Sequence, residues 1–315
     1  MALLLVKISL SLLLLYAGAE LLVRGSSALA VRFRVSPMVI GMTIVAFGTS
    51  APELFVSLKA GLAGSGDIAL GNVIGSNICN IGLILGLAAL LRPLRIHLRT
   101  VRLDVPVMIG ATLMLSVFLM NGRLGRAEGV ILLSGFIVFA ALIARSAAKE
   151  AGAPVVPGLL GTGQSGKGGV ALDLSLVAAG LAALGFGADL LIKGAVGISG
   201  MLGVGEAFVG LTVVAVGTSI PELATSTVAA LRGESDISVG NIIGSNIFNA
   251  LGILGLSSTV RPLRGDGIDG MDLLFMSGFA LLALPFMRTG FMMKRWEGVV
   301  LLVLYGAYLF FLVTS

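Results

Sequence analysis

Two glutamates in this chain are placed where chemistry is possible. Each follows a threonine by four residues and a proline by one, inside an apolar run: Thr49-Ser50-Ala51-Pro52-Glu53 and Thr218-Ser219-Ile220-Pro221-Glu222. At helical spacing Ala46, Thr49 and Glu53 share one face with Ser50 at its flank, as do Ala215, Thr218 and Glu222 with Ser219. In the next apolar run of each half, Asn72, Ser76 and Asn80, and likewise Asn241, Ser245 and Asn249, recur every four residues along a face. A carboxylate in mid-membrane costs about 2.5–3.5 kcal/mol on insertion scales unless it faces a cavity or a partner, so intramembrane acids mark function by default. Pro52 and Pro221 cannot donate to the carbonyls of Gly48 and Gly217, which predicts a kink in both helices. Broken backbone at that depth is tolerated only where it lines a cavity or is buried in protein.

Every candidate ligand in this set is oxygen. With no His or Cys in it, zinc, copper and iron are poor fits, and hard cations are good ones. Calcium accepts six to eight oxygens in a flexible shell, whereas magnesium demands near-octahedral geometry and keeps its waters. Two glutamates neutralise one divalent ion or two monovalent ones, and protons compete with metal as the pH falls.

Other polar residues have plainer readings. Glu20 with Arg24 and Asp189 with Lys193 read as ion pairs near span ends, and Asp67 and Asp236 as helix N-caps. Asp266, Asp269 and Asp272 lack the pattern of a calcium-binding EF-hand loop and read as loop acids. His97, between Arg95 and Arg99, reads as a solvated loop histidine. Cys79, the only cysteine, reads as a packed apolar side chain. Gly71, Gly75, Gly240 and Gly244 read as close-packing positions.

The elements that must carry these residues follow from an internal repeat. Thr49, Glu53, Asn80 and Pro93 return as Thr218, Glu222, Asn249 and Pro262, each 169 residues later. Of the 315 residues 57% are hydrophobic and 12% charged, with a mean hydropathy of +1.07. Soluble domains carry about 25% charged residues, so this is a membrane chain, and its net charge of +5 reads as loop asymmetry, with no nucleic-acid footprint. Ten spans are predicted, at roughly 3–23, 37–61, 68–91, 104–120, 127–146, 172–198, 206–231, 237–260, 271–288 and 297–313. Gly18 to Gly25 returns as Gly187 to Gly194, so span 1 is expected to be retained structure and not a signal peptide. Five spans per half force the halves into opposite orientations, the inverted-repeat plan of many secondary transporters. The first repeat is read as 1–146, a Gly- and Pro-rich linker as 147–171 and the second repeat as 172–315. Loops on the linker's side collect 14 Lys and Arg against 7 on the other, which puts the linker in the cytoplasm and both termini outside.

The doubled Gly-Thr-Ser-x-Pro-Glu stretches (48–53 and 217–222), each followed by Gly-Asn-x-x-Gly-Ser-Asn-Ile-x-Asn, resemble the paired alpha repeats of the cation/calcium exchangers, in particular the prokaryotic sodium/calcium antiporter branch. The resemblance covers the whole chain. It implies an all-α polytopic protein of ten transmembrane helices in an inverted 5+5 arrangement in the inner membrane, exchanging cytoplasmic Ca2+ for external Na+. By carry-over Glu53, Glu222, Thr49 and Thr218 would hold Ca2+. Ser50, Ser219, Ser76, Ser245, Asn80, Asn249 and the carbonyls of Ala46 and Ala215 would complete the Na+ sites, while spans 1 and 6 slide to alternate access. Some members carry Asp where this chain has Asn249, and in the potassium-dependent branch that Asp is linked to K+ transport, so K+ co-transport is not expected. The 147–171 linker is too short for the calcium-sensing domains of animal relatives.

Alternatives remain at the level of sequence. The two glutamates would also serve Ca2+/H+ exchange, and an oxygen ring would serve a cation channel, although channels usually gain symmetry by oligomerising. An intramembrane enzyme fits least, since no His-Glu-x-x-His is present and the only histidine is in a loop. No cofactor and no protein partner are expected; the partners are Ca2+, Na+, competing H+ and the lipid bilayer.

Overall fold

A computed structural model of the chain describes residues 2–151, 169–201 and 216–314. In chain order the helices are α1 (Ala2–Phe33), α2 (Pro37–Thr49), α3 (Ala51–Ala63), α4 (Gly66–Leu91), α5 (Thr100–Leu119) and α6 (Arg126–Ala151), then α7 (Val170–Met201), α8 (Ile220–Arg232), α9 (Ser235–Val260), α10 (Gly270–Arg288) and α11 (Arg295–Thr314). Among the described residues eight helices are long and apolar enough to cross a membrane, and α2 with α3 makes a ninth span bent by 48°. The expected seventh span, 206–231, falls partly outside the described residues, which cover its end as α8. The described residues are all-helical and polytopic, apart from four two-residue strands.

Burial separates the centre of the bundle from its rim. The most apolar window of α9 is 94% buried and that of α4 is 78% buried, against 22% for α6. The two central helices therefore carry Ser and Asn that lipid would not tolerate, because those residues are buried in protein. Ile78, Ile84 and Leu85 of α4 and Ile242, Ile243 and Ile253 of α9 join one continuous core with side chains of α5, α10 and α11. A second cluster joins α1, α7 and α2 around Leu22, Leu29, Ile40 and Leu184. The α1–α7 contact is backbone-close: a Cβ on Gly18 would lie 2.9 Å from the Gly180 carbonyl oxygen, as small-residue crossings in membranes require.

The halves interlock by repeat-related contacts. Strand β1 (Leu94–Arg95) pairs antiparallel with β4 (Met292–Met293), and β2 (Arg123–Leu124) with β3 (Leu263–Arg264). Arg92 donates to the carbonyl of Leu231, and its counterpart Arg261 to that of Leu62, so each repeat caps a helix end in the other. Those ends terminate on Gly64 (φ 89°) and Gly233 (φ 84°), in the left-handed conformation that favours glycine.

Several sequence expectations need correcting. Helix α1 does not stop near residue 23 but runs to Phe33, since nothing in Ser26–Arg32 breaks a helix and Arg32 is anchored by Asp173 of α7 at 2.6 Å. Asp67 and Asp236 are not N-caps; Ser65 and Glu234 hold those positions. The two aspartates sit in the first turn and reach across to the other repeat instead. Asp67 accepts from the Gly267 N–H at 2.9 Å, and Asp236 lies 3.1 Å from His97 Nε2. The His97 side chain is 62% exposed but paired, not simply solvated. Asp269 and Asp272 are no loop acids. They form the capping box that starts α10, and Asp272 is buried where the Tyr308 hydroxyl donates to it at 3.1 Å. The Glu20–Arg24 pair is present at 2.6 Å, joined by Arg232 at 3.2 Å, whereas the Lys193 side chain lies outside the described residues.

Candidate ion-binding site

Proline chemistry builds the site. Because Pro52 has no N–H to continue the ladder, α2 ends at Thr49 and Ser50 takes φ −83°, ψ 10° before α3 starts with Pro52 in its first turn. Ser219 repeats this geometry at φ −85°, ψ 5°, followed by Pro221. Each glutamate thus lies in the first turn of a half-helix, and the C-terminal end of α2, whose dipole favours cations, meets it at the break. In the facing helices the backbone widens into π-helical turns at Asn80–Leu85 of α4 and Phe248–Ile253 of α9. Such turns are frequent at functional sites. No residue pattern announced them.

The structure buries the sequence-selected residues and joins Ser50, Glu222 and Ser245, and Ser219 and Glu53, across the repeats. Glu53, Glu222, Thr49, Ser50, Ser219, Ser76, Ser245, Asn80, Asn249 and Ala46 are each at most 1% exposed, and Thr218 is 7% exposed. Ala215 lies outside the described residues. Ser50 Oγ donates to Glu222 Oε1 at 2.7 Å, and Ser219 Oγ donates to Glu53 Oε1 at 3.2 Å. Each carboxylate is therefore gripped by the serine that precedes the other one. Ser50 Oγ also lies 3.0 Å from Ser245 Oγ. The Ala46 carbonyl still accepts the Ser50 N–H at 3.0 Å, so the kink frees only part of its acceptor capacity.

Buried oxygens without a partner outline the remainder. They include Glu53 Oε2, Glu222 Oε2, Ser76 Oγ, Asn80 Oδ1 and Asn249 Oδ1. Leaving such groups unpaired costs about 1–3 kcal/mol each, and more when they are charged. Unpaired acceptors of this kind suit a hard cation, and the donor set fits Ca2+ or Na+. Asn249 is left with an unpartnered oxygen because it is its Nδ2 that donates to Asn77 Oδ1 at 3.1 Å. Among the described residues no three His, Cys, Asp or Glu come together, so neutral oxygens must complete any shell around the two glutamates. Beside the chamber the rings of Phe47, Phe136 and Phe248 meet with centroids 4.8–5.6 Å apart.

Four participants escaped the sequence reading. Ser57, one turn beyond Glu53, accepts from Asn72 Nδ2 at 2.9 Å, and Ser226, one turn beyond Glu222, accepts from Asn241 Nδ2 at 2.9 Å. Asn77 and Asn246 link across the repeats, with Asn77 Nδ2 donating to the Asn246 carbonyl at 3.4 Å. The i+4 spacing from each glutamate was the available signal for the serines.

A sequence model of the sodium/calcium exchanger protein family matches residues 3–145 and 172–314. The chain belongs to this family. It is 34% identical to the sodium/calcium exchanger MaX1 of Methanosarcina acetivorans, over 95% of each chain. It is 37% identical to the inner membrane protein YrbG of Escherichia coli, over 80% of this chain and 78% of that one. Among solved structures, the sodium–calcium exchanger NCX_Mj superposes with a TM-score of 0.83 at 33% identity, covering 98% of this chain and 97% of that one. A sodium/calcium exchanger is a multi-pass membrane transporter whose ions are cargo. The family's two matched segments coincide here with the two sets of helices that each contribute one glutamate to the chamber.

Proposed function

We propose that this exchanger is a secondary antiporter that moves Ca2+ out of the cytoplasm against Na+ entry by alternating access. The observation that carries the reading is the set of unpartnered buried oxygens on Glu53, Glu222, Ser76, Asn80 and Asn249, contributed by both repeats. In this reading Glu53, Glu222, Thr49 and Thr218 hold Ca2+. Ser50, Ser219, Ser76, Ser245, Asn80, Asn249 and the carbonyls of Ala46 and Ala215 form the Na+ sites around it. The two ions compete because both need the same two carboxylates to balance their charge, which couples entry of one to exit of the other. The name of MaX1 and the described extracellular ion exchange and binding-site occlusion of NCX_Mj support this cargo. Helices α1 and α7, in backbone-close contact at Gly18 and Gly180, are suited to move as a pair against the bundle. Charge asymmetry supports inner-membrane insertion with both termini outside and the 147–171 linker in the cytoplasm.

The purified protein in liposomes loaded with Na+ tests the reading. An outward Na+ gradient is expected to drive saturable 45Ca2+ uptake. Uptake driven by a pH gradient with no response to Na+ would make it a Ca2+/H+ antiporter instead, a role that two partly unpaired buried carboxylates could serve. Non-saturating uptake without counterflow would make it a channel.

A further inference from the structure

The carboxamide of Asn77 has its orientation fixed by a backbone group of the other repeat. Its Nδ2 donates to the Asn246 carbonyl at 3.4 Å. A carbonyl can only accept, so the amide nitrogen must be the end that faces it. The Asn77 Oδ1 is then left for Asn249, and because that oxygen cannot donate, Asn249 must turn its Nδ2 toward it, at 3.1 Å. One backbone carbonyl thus sets two amides in series, and the end of Asn249 left buried without a partner is its oxygen. The repeat-related residues are not wired in this way. Asn246, 169 residues after Asn77, directs its Nδ2 to the Ile242 carbonyl of its own helix at 2.7 Å. The mirrored bond, from Asn80 to Asn246 Oδ1, is absent, since that oxygen is buried without a partner.

We propose that Asn77 is a positioning residue for Na+, acting through Asn249 by fixing its carboxamide with the oxygen as the free end. In the proposed function, on which this rests, Asn249 is a ligand of Na+ and does not hold Ca2+. Turned over, the same amide would offer an N–H group, a donor that repels a cation. The apparent affinity for an ion falls with the fraction of molecules whose ligand is correctly set. Losing the Asn77 acceptor therefore weakens Na+ through orientation alone, with every ligand still present. The two repeats are unequal in this respect: Asn249 is set in advance by Asn77, whereas Asn80 receives no such bond from Asn246.

The test is half-saturating Na+ and half-saturating Ca2+, each measured alone as protection of the full chain against heat in detergent, and again for exchange in proteoliposomes. Asn77→Ala should raise the Na+ constant about fivefold, the worth of one directed hydrogen bond, and leave the Ca2+ constant within about twofold of wild type. Asn246→Ala keeps the backbone carbonyl and should give a smaller Na+ shift. Asn77→Asp has nearly the same shape and still offers Asn249 an acceptor, so its Na+ constant should not rise. That variant also keeps the measurement available if Asn77→Ala does not fold. In an Asn249→Ala background Asn77→Ala should cost Na+ nothing further, because its target is gone. Equal shifts for the two ions, an equal Na+ shift in Asn246→Ala, a raised Na+ constant in Asn77→Asp, or full additional loss in the Asn249→Ala background would each overturn the positioning role. If Asn249→Ala alone left the Na+ constant unchanged, the Na+-site role of Asn249 would fail, whatever Asn77 did.

Discussion

At the scale of single residues, the two glutamates supply the formal charge that the buried chamber can set against an ion. Glu53→Gln and Glu222→Gln keep the volume and remove one charge, leaving a divalent ion half-balanced in a dry site. Breaking a buried charge pair costs about 3–5 kcal/mol, so Ca2+ exchange should fall by at least about a hundredfold. The same variants separate binding from folding. Ca2+ at about a hundred times its dissociation constant should stabilise the wild type by about 2.7 kcal/mol against heat, and should leave Glu53→Gln unmoved. Near-normal exchange in both variants would reject the site. Asn249→Asp adds a third buried acid. Asn77 would then have to turn its amide to donate, where it now accepts from Asn249 at 3.1 Å. Exchange in that variant should become more sharply inhibited as the pH falls, and an unchanged pH profile would make the position peripheral.

At the scale of elements, function requires helices to approach closely around a polar interior. A Cβ on Gly244 of α9 would lie 2.7 Å from Met42 Cα and 2.8 Å from the Met42 carbonyl oxygen of α2, and backbone atoms cannot swing away. Gly244→Ala should therefore lower the thermal midpoint in detergent, with an overpacking cost of about 1–3 kcal/mol. Gly110→Ala, with nothing within 4 Å of the new methyl, should be neutral or slightly stabilising by the same melting assay. The elements were largely legible in the sequence, because length and hydropathy dictate spans and Pro52 and Pro221 dictate where two of them break. What stayed hidden depends on tertiary context. The π-helical turns at Asn80 and Phe248 have no pattern of their own. Arg92 and Arg261 were visible as repeat marks, but their roles as caps for the opposite repeat need the two halves already docked. The Asp269–Asp272 capping box was half visible, since its spacing is that of the motif but Asp272 stands where Glu or Gln is usual.

At the scale of the whole molecule, two repeats related by inversion meet at a chamber and are pinned by one strand pair from each repeat-related set, β1 with β4 and β2 with β3. The proposed ion-site residues stand out in the sequence because the repeat doubled them; the supporting Ser57 and Ser226 did not, since a serine in a helix usually only packs. The orientation has its own test. Cys79 is buried, so cysteines introduced elsewhere can be read against a quiet background. Thr314→Cys should react with a membrane-impermeant maleimide applied from outside intact cells, and Lys149→Cys only after lysis; the reverse pattern would invert the topology. The most direct measurement of the central claim is anomalous diffraction from crystals soaked in Ca2+ or in Sr2+ as its heavier analogue. The account predicts one divalent peak held between the carboxylates of Glu53 and Glu222, lost in Glu222→Gln. A peak elsewhere in the molecule, with that chamber empty of metal, would contradict it.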